Sequence, residues 1–325
     1  MKNNKPFRPM KAPNQELVGK TAYDKVKNLK YPLIGSFKYD GFRCNFYEQQ
    51  MRTASLKPFN NIHINNKFKP IVDFIKSQPD INPLLDGELL APSTPFNVFS
   101  GIFRSDEMPL PCDTNFFLFD TVYYDNFEEY FEDRIPRIYS IFKQFPDLIT
   151  PTQQKLLYTP EEVIEFYEEA LNWVEVYQGE EHFVCDGLIL RHPHGRYKKG
   201  RGTMNEGLIF KLKPYQTFDA KIIDIEEGTN VDPKAEKKIN QMGYSETSKK
   251  KGDRILGGWA KNFVVMHEGQ KLSVSIKDTK EKKFYIWEHQ DEFIGKIVEY
   301  KGLMVGAIDL PRHPTQVSRM RPDKD

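Results

Sequence analysis

The stretch Lys38-Tyr39-Asp40-Gly41-Phe42-Arg43 places a lysine, a carboxylate, a glycine and an arginine within one short turn. A lysine amine that is kept neutral and close to other cations can attack an α-phosphate and hold the nucleotide as a phosphoramidate. The plain structural reading of the same residues is a β-hairpin. Asp-Gly is a strong two-residue turn signal, and residues 33–37 and 44–47 have strand character on either side. Taken alone, this stretch is better read as the hairpin. The chemical reading gains on it because later segments supply each further group that nucleotidyl transfer needs.

Leu85-Asp86-Gly87-Glu88-Leu89 sets carboxylates on a strand beside a glycine, although an ordinary turn and strand explain it equally well. Asn115-Phe116-Phe117-Leu118-Phe119-Asp120 is an aromatic strand whose phenylalanines belong mostly in a core. One of them can still stack on a purine, because aromatic faces bind bases without hydrogen bonds. Cys185-Asp186-Gly187-Leu188-Ile189-Leu190-Arg191 is more specific. An acid before glycine and an apolar run puts one carboxylate at the mouth of a buried strand. Mg²⁺ takes few protein carboxylates and leans on phosphate oxygens and water, so one acid suffices. Phe210-Lys211-Leu212-Lys213-Pro214 alternates two lysines onto one strand face. A solvent-facing strand explains them in isolation. As neighbours of Lys38 they neutralise triphosphate charge and, with burial and Arg43, lower its pKa.

These groups need rigid elements to hold them. The pattern predicts a helix within residues 68–78, with Ile71, Val72 and Ile75 on one face, a strand over 116–124, and helices over 134–145 and 160–176. The last opens Thr159-Pro160-Glu161-Glu162, an N-cap, a first-turn proline and acids against the dipole. Its aromatics read as core. Strands follow over 183–191 and 208–212. Residues 214–217 read as a hinge. Beyond it, alternating segments over 218–225, 262–267, 271–276 and 295–301, with a helix near 284–293, suit a small OB-type barrel. Between its first strands lies a polar, lysine-rich excursion over 228–256, carrying Lys234, Lys237, Lys238, Lys249, Lys250, Lys251 and Arg254. By itself this is a solvated surface loop.

At 325 residues the chain suggests two domains. Hydrophobic content of 39% allows real cores, and a formal net charge of +1 leaves any nucleic-acid surface to local clustering. No run is apolar enough to cross a bilayer. Residues 1–11 are basic and lack the apolar core of a signal peptide. Cys44, Cys112 and Cys185 are isolated, without metal spacing, and read as reduced thiols of an intracellular protein.

Taken in order, these motifs resemble the ATP-dependent DNA ligases, most closely the small viral and phage members, from about residue 30 to the end. That family belongs to the covalent nucleotidyltransferases, with mRNA capping enzymes and RNA ligases. Lys38-Tyr39-Asp40-Gly41 matches its nucleophile motif. Arg52-Thr53 with Lys57-Pro58 is similar to the segment whose arginine holds the 5′-phosphate at a nick. Glu88 of Asp86-Gly87-Glu88 matches the ribose-binding glutamate, and Phe119 the aromatic that stacks on adenine. Asp186-Gly187 matches the metal motif, with aspartate where DNA ligases usually carry glutamate. Phe210-Lys211-Leu212-Lys213 matches the paired lysines. Tyr197-Lys198-Lys199-Gly200-Arg201-Gly202 resembles a loop of small viral ligases whose arginine also binds the nick phosphate. Arg319-Met320-Arg321-Pro322-Asp323-Lys324 resembles the final motif, which orients the pyrophosphate leaving group. The lysine-rich excursion falls where small viral ligases carry a latch that closes around DNA.

The resemblance therefore implies an α+β nucleotidyltransferase domain over 1–213, with ATP-grasp-like antiparallel sheets and helices, then an OB domain over 218–325. It implies Lys38 as nucleophile, and Asp40, Gly41, Arg43, Glu88, Phe119, Lys211, Lys213, Arg321 and Lys324 around ATP. Arg52 and Arg201 hold the nick phosphate, and Asp186 with Glu88 binds Mg²⁺ or another divalent cation such as Mn²⁺. The expected partner is nicked double-stranded DNA, bound by a monomer inside a host cell, with no membrane. A capping guanylyltransferase, an RNA ligase and a non-catalytic DNA-binding protein are the competing readings.

Overall fold

The computed structural model describes residues 7–17, 19, 21–79, 83–247, 250–304 and 310–317. The chain divides into two compact units, Met1–Lys213 and Pro214–Asp325. In the first, the strands are β1 (Leu33–Tyr39), β2 (Phe42–Tyr47), β3 (Gln50–Thr53), β4 (Pro83–Leu90), β5 (Asn115–Tyr123), β6 (Ile149–Pro151), β7 (Gln154–Leu157), β8 (Val174–Tyr177), β9 (Glu180–Phe183), β10 (Cys185–Arg191) and β11 (Ile209–Leu212). The helices are α1 (Ala22–Val26), α2 (Ile62–Lys67), α3 (Lys69–Lys76), α4 (Phe96–Arg104), α5 (Phe131–Phe142) and α6 (Pro160–Leu171).

Two main sheets result. One has the order β11-β10-β1-β7 and is antiparallel throughout. The other has the order β3-β2-β4-β5-β6, with only the β5–β6 pair parallel. This overturns the hairpin reading of the Lys38–Arg43 turn. β1 and β2 do not pair with each other; the chain crosses at Asp40-Gly41 from one sheet to the other. The reason lies in β1, whose side chains are buried almost without interruption on both faces. Such a strand needs a neighbour on each edge and cover on each face, which a two-stranded hairpin cannot supply. Gly41 permits the crossing. A Cβ there would lie 2.6 Å from the Leu89 carbonyl oxygen and 2.9 Å from Glu88 Cγ.

Helix α6 starts as its sequence dictates. Thr159 accepts from the Glu162 N–H, and Pro160 opens the first turn. It buries Val163, Phe166, Tyr167 and Ala170 against the first sheet's core. It stops at Leu171, short of the expected 176. Residues 174–177 instead alternate as a strand and turn back through Gln178 and Gly179, both at positive φ, to pair with β9. Helix α5 begins at Phe131 rather than 134, so Pro136 lies inside it. The earlier start aligns Phe131, Arg134, Ile138 and Ile141 on the buried face, and Arg134, 1% exposed, ion-pairs with Asp120.

The second unit contains β12 (Tyr215–Val231), β13 (Lys237–Ile239), β14 (Ser245–Thr247), β15 (Arg254–His267), β16 (Gln270–Ser275), α7 (Lys280–Glu288), β17 (Ile297–Leu303) and β18 (Arg312–Gln316). Five strands close a barrel in the order β12-β15-β16-β18-β17 around Ile222, Phe263, Val265, Val274, Val298 and Tyr300. This is the OB type of small barrel. The polar, proline-containing β18 carries no strand signal and was not expected. The expected hinge is also revised. Tyr215, Gln216 and Thr217 already pair with β17, which leaves only Pro214 ahead of the barrel. Among its described residues the lysine-rich excursion carries paired strands joined by turns. β12 and β15 run on as a paired ribbon, with Thr229 opposite Leu256 and Val231 opposite Arg254, and β13 pairs with β14 beyond it. Leu256 is 72% exposed there, so the ribbon is held by main-chain pairing rather than by burial. Lys249 lies outside the described residues. No helix is long and apolar enough to cross a membrane.

Candidate active site

A cavity of about 260 Å³ opens between the two sheets of the first unit. Strand periodicity builds its first wall. Ser36 and Lys38 on β1, Ile189 and Arg191 on β10, and Ile209 and Lys211 on β11 are i, i+2 pairs presented to the cavity. The second sheet contributes Arg43, Glu88 and Phe119. Arg43 and Glu88 are direct cross-strand partners. Phe119 reaches the cavity through a bulge. Asp86 pairs with Asp120 and Gly87 with Leu118, which leaves Phe119 as the extra residue on β5. Its ring centroid lies 5.4 Å from the Arg43 guanidinium carbon and 5.3 Å from that of Arg191.

Lys38 donates to Asp186 at 2.6 Å, and Lys213, just past β11, donates to the other oxygen of the same carboxylate. Gly187, at φ +137, lets this corner close, because a Cβ there would overlap the Leu212 carbonyl oxygen. The electrostatics correct one expectation. Burial does favour a neutral Lys38, but the Asp186, Glu88 and Asp40 carboxylates outweigh it and hold the amine above the ordinary lysine range. Lys213 is shifted down, by burial and then by Lys38. Glu88 is pushed up to about 8 by burial, against the pull of Lys38 and Arg43. Asp186 is buried yet held below the usual carboxylate range by its two lysines. Bonded to Asp186, Lys38 is thus a clamped ammonium, not a free nucleophile.

Two buried carboxylates, absent from the sequence-based site, hold the arginines. Asp86 accepts from Arg43 through Nε at 2.9 Å and through a second nitrogen, and also from Asn45 and from the Tyr197 hydroxyl at 2.6 Å. Asp120 accepts from Arg134 at 2.8 and 3.0 Å and from Arg191 at 2.7 Å. The signal for Asp86 was its strand position two residues before Glu88, but nothing in sequence reveals its three partners. Ser36 and Arg191 were also missed as pocket residues. The Ser36 hydroxyl and Arg191 Nε are buried without a hydrogen-bond partner among the described residues. Both sit two positions along a strand from a residue that had been identified or already lines the wall.

The structure thus gathers Lys38, Arg43, Glu88, Phe119, Arg201 and Lys211 around one cavity, with Asp186 and Lys213 hydrogen-bonded beside it. Asp40 and Gly41 form the crossing turn and do not line it. Arg52 does not join them either. It lies on β3, where it donates to the Leu56 carbonyl at 3.0 Å and approaches Glu48. Arg321 and Lys324 lie outside the described residues. Among those residues no cluster of three or more His, Cys, Asp or Glu side chains could hold a metal. Asp186 and Glu88 nevertheless suit a hard cation that takes most of its ligands from phosphate and water.

The family model of the ATP-dependent DNA ligase domain matches residues 16–213. No curated protein gives a significant match. Among solved structures, a Lig E DNA ligase is 17% identical, covers 94% of this chain and 98% of its own, and superposes with a TM-score of 0.61. Chlorella virus DNA ligase-adenylate is 19% identical over 98% of this chain and 99% of its own, with a TM-score of 0.49. The ATP-dependent DNA ligase of bacteriophage T7, in complex with ATP, is 18% identical over 97% and 98%, with a TM-score of 0.47. The family match spans most of the unit that carries Lys38 and its cavity, and by it the chain belongs to the ATP-dependent DNA ligases.

Proposed function

We propose that this ligase seals 5′-phosphate/3′-hydroxyl nicks in duplex DNA through AMP carried on Lys38. The observation that supports the assignment is the position of Lys38 Nζ, at the edge of a cavity walled by Glu88, Arg43, Phe119 and Lys211 and bonded to Asp186. Lys38 forms a P–N bond to the α-phosphate of ATP, and pyrophosphate leaves. Phe119 stacks on adenine, and Glu88 takes the ribose hydroxyls. Lys211 and Lys213 offset phosphate charge. Asp186 and Glu88 would hold Mg²⁺, which when bound supplies positive charge to the phosphate oxygens undergoing transfer. The nick 5′-phosphate then attacks the lysyl-AMP, and the adjacent 3′-hydroxyl finally displaces AMP. Incubation with α-labelled ATP and then with a nicked duplex tests this. The label should appear on Lys38 and pass to the 5′-phosphate; a label taken from GTP alone would instead indicate capping chemistry.

Arg201 and Arg52 are assigned to the nick phosphate. Arg201→Ala and Arg52→Ala should each accept AMP normally but transfer it to the nick about 10- to 100-fold more slowly, the loss of one charge-assisted fork. Lysine at either position should restore charge but not the fork, and recover only part of the rate. Because Arg52 is tied to Leu56 in this structure, an Arg52→Ala enzyme with full transfer rate would make it an anchor of the β3 turn.

The ribbon of residues 228–256 is assigned to DNA. Replacing residues 232–252 with a Gly/Ser linker should leave AMP attachment intact and weaken nick binding. It should also flatten the plot of log K against log salt by about 0.9 per lost phosphate contact. Unchanged affinity and slope would return the ribbon to the status of a surface feature.

A further inference from the structure

By sequence, residues 1–11 are a basic stretch that lacks the apolar core of a signal peptide. The structure makes residues 7–12 a strap across the cavity. Main-chain bonds fasten it to the 197–202 loop: Gly200 N–H to the Arg8 carbonyl at 2.8 Å, Lys11 N–H to the Gly200 carbonyl at 2.9 Å, and Gly202 N–H to the Lys11 carbonyl at 2.8 Å. The Arg201 guanidinium donates to the Ala12 carbonyl at 2.7 Å. Phe7 anchors the far end, buried and stacked on Tyr47 at 4.5 Å. The Met10 N–H donates to the Tyr197 hydroxyl, which itself donates to Asp86, so strap and Arg43 share one network.

Lys11 is the charged residue that the strap places in the cavity wall. It sits in the fields of Arg43 and Arg201, and its ammonium forms no hydrogen bond or ion pair among the described residues. The cavity consequently has two cationic ends. At one, Lys38 and Lys213 share Asp186. At the other stand Arg43, Arg201 and Lys11, beside the buried Asp86, which is committed to Arg43, Asn45 and Tyr197, and Glu88, which acts on Arg43 as well as on Lys38. Lys11 stands in the repulsive fields of Arg43 and Arg201, with Asp86 offsetting them in part, and an anion placed between Lys11 and Arg201 would relieve that repulsion. Burial, and then Arg43 and Arg201, lower the Lys11 pKa, the direction such crowding gives.

We propose that Lys11 is a further ligand of the nick 5′-phosphate, donating from Nζ to a phosphate oxygen beside Arg201 while AMP is transferred from Lys38. The proposal rests on the reading of this cavity as a nick-sealing site. It also gives the strap a purpose: five hydrogen bonds to the 197–202 loop fix Lys11 and Arg201 side by side before DNA arrives.

The test uses the full chain with Lys11→Ala, Lys11→Gln and Lys11→Arg. All strap bonds from residue 11 are main-chain, so these variants should melt as the wild type does. AMP attachment from labelled ATP should stay within about twofold, while single-turnover transfer from isolated lysyl-AMP enzyme to a 5′-phosphorylated nick falls about 10- to 100-fold for Ala and Gln. Arginine should restore most of the rate. Binding of a nick bearing a 5′-hydroxyl should be the same for wild type and Ala. Combining Lys11→Ala with Arg201→Ala should cost less than the product of the single losses, because both grip one phosphate. Equal slowing of attachment and transfer would assign Lys11 to the nucleotide, and an unchanged transfer rate would leave it as wall only; either result overturns the proposal. A wild-type enzyme that takes up AMP but does not pass it to the nick would instead refute the sealing reading.

Discussion

Lys38→Ala should abolish AMP attachment, a loss on the order of 10⁴- to 10⁶-fold, as for removal of a covalent nucleophile. Lys38→Arg should not rescue it, since a guanidinium stays protonated and cannot attack. The alanine enzyme should still fold, because Lys213 continues to pair with Asp186, and the stability loss should be about 1 kcal/mol. It should also seal a nick that is already adenylylated, a step in which Lys38 has no bond to make. The clamp on Lys38 adds a pH signature. With the amine held above the ordinary lysine range, the neutral fraction of the free enzyme grows about tenfold per pH unit below that pKa. The kcat/KM for AMP attachment should therefore climb from pH 7 to pH 9. A profile already flat at pH 7 would mean that Lys38 is neutral in the free enzyme, which contradicts its ion pair with Asp186.

The even spacing of Lys211 and Lys213 shows why part of the site was legible. Chemistry-bearing side chains on strands repeat every second residue, and sequence displays that period directly. What sequence could not display was which sheet each strand joins. Asp-Gly promises a hairpin from local propensity, yet β1 finds β10 and β7 across more than 100 residues of chain because its burial on both faces demands two neighbours. The aromatic strand pointed only to one of its phenylalanines, and the family resemblance singled out Phe119; its exposure to the cavity depends on a bulge that its own sequence does not mark. The Lys38 pKa was misjudged for a related reason. Counting cations along the chain ignores that Asp186 comes within 2.6 Å from a distant strand. Residues 7–12 escaped because their role comes from the loop they pair with, and no periodicity in a six-residue segment reports a partner so distant in sequence.

The same long-range logic makes Asp86 costly to remove. It is fully buried and satisfies Arg43, Asn45 and Tyr197 at once. Asp86→Ala leaves the Arg43 charge without its counter-ion and strands an amide and a hydroxyl beside it. Breaking a buried pair from one side typically costs about 3–5 kcal/mol. For a unit of this size that corresponds to a fall in melting temperature of about 6–20 °C. Activity should fall further than stability alone requires. Arg43 loses the bidentate hold that aims it at Glu88's side of the cavity, and Tyr197 loses the acceptor that fixes it beneath the Met10 N–H. Asp86→Asn keeps the shape and one acceptor but not the charge, so it should fall between wild type and alanine in both melting temperature and AMP attachment. If Asp86→Ala melts like the wild type and loses only AMP attachment, the carboxylate acts on the substrate rather than on Arg43. The buried network would then not be what holds this wall of the cavity in place.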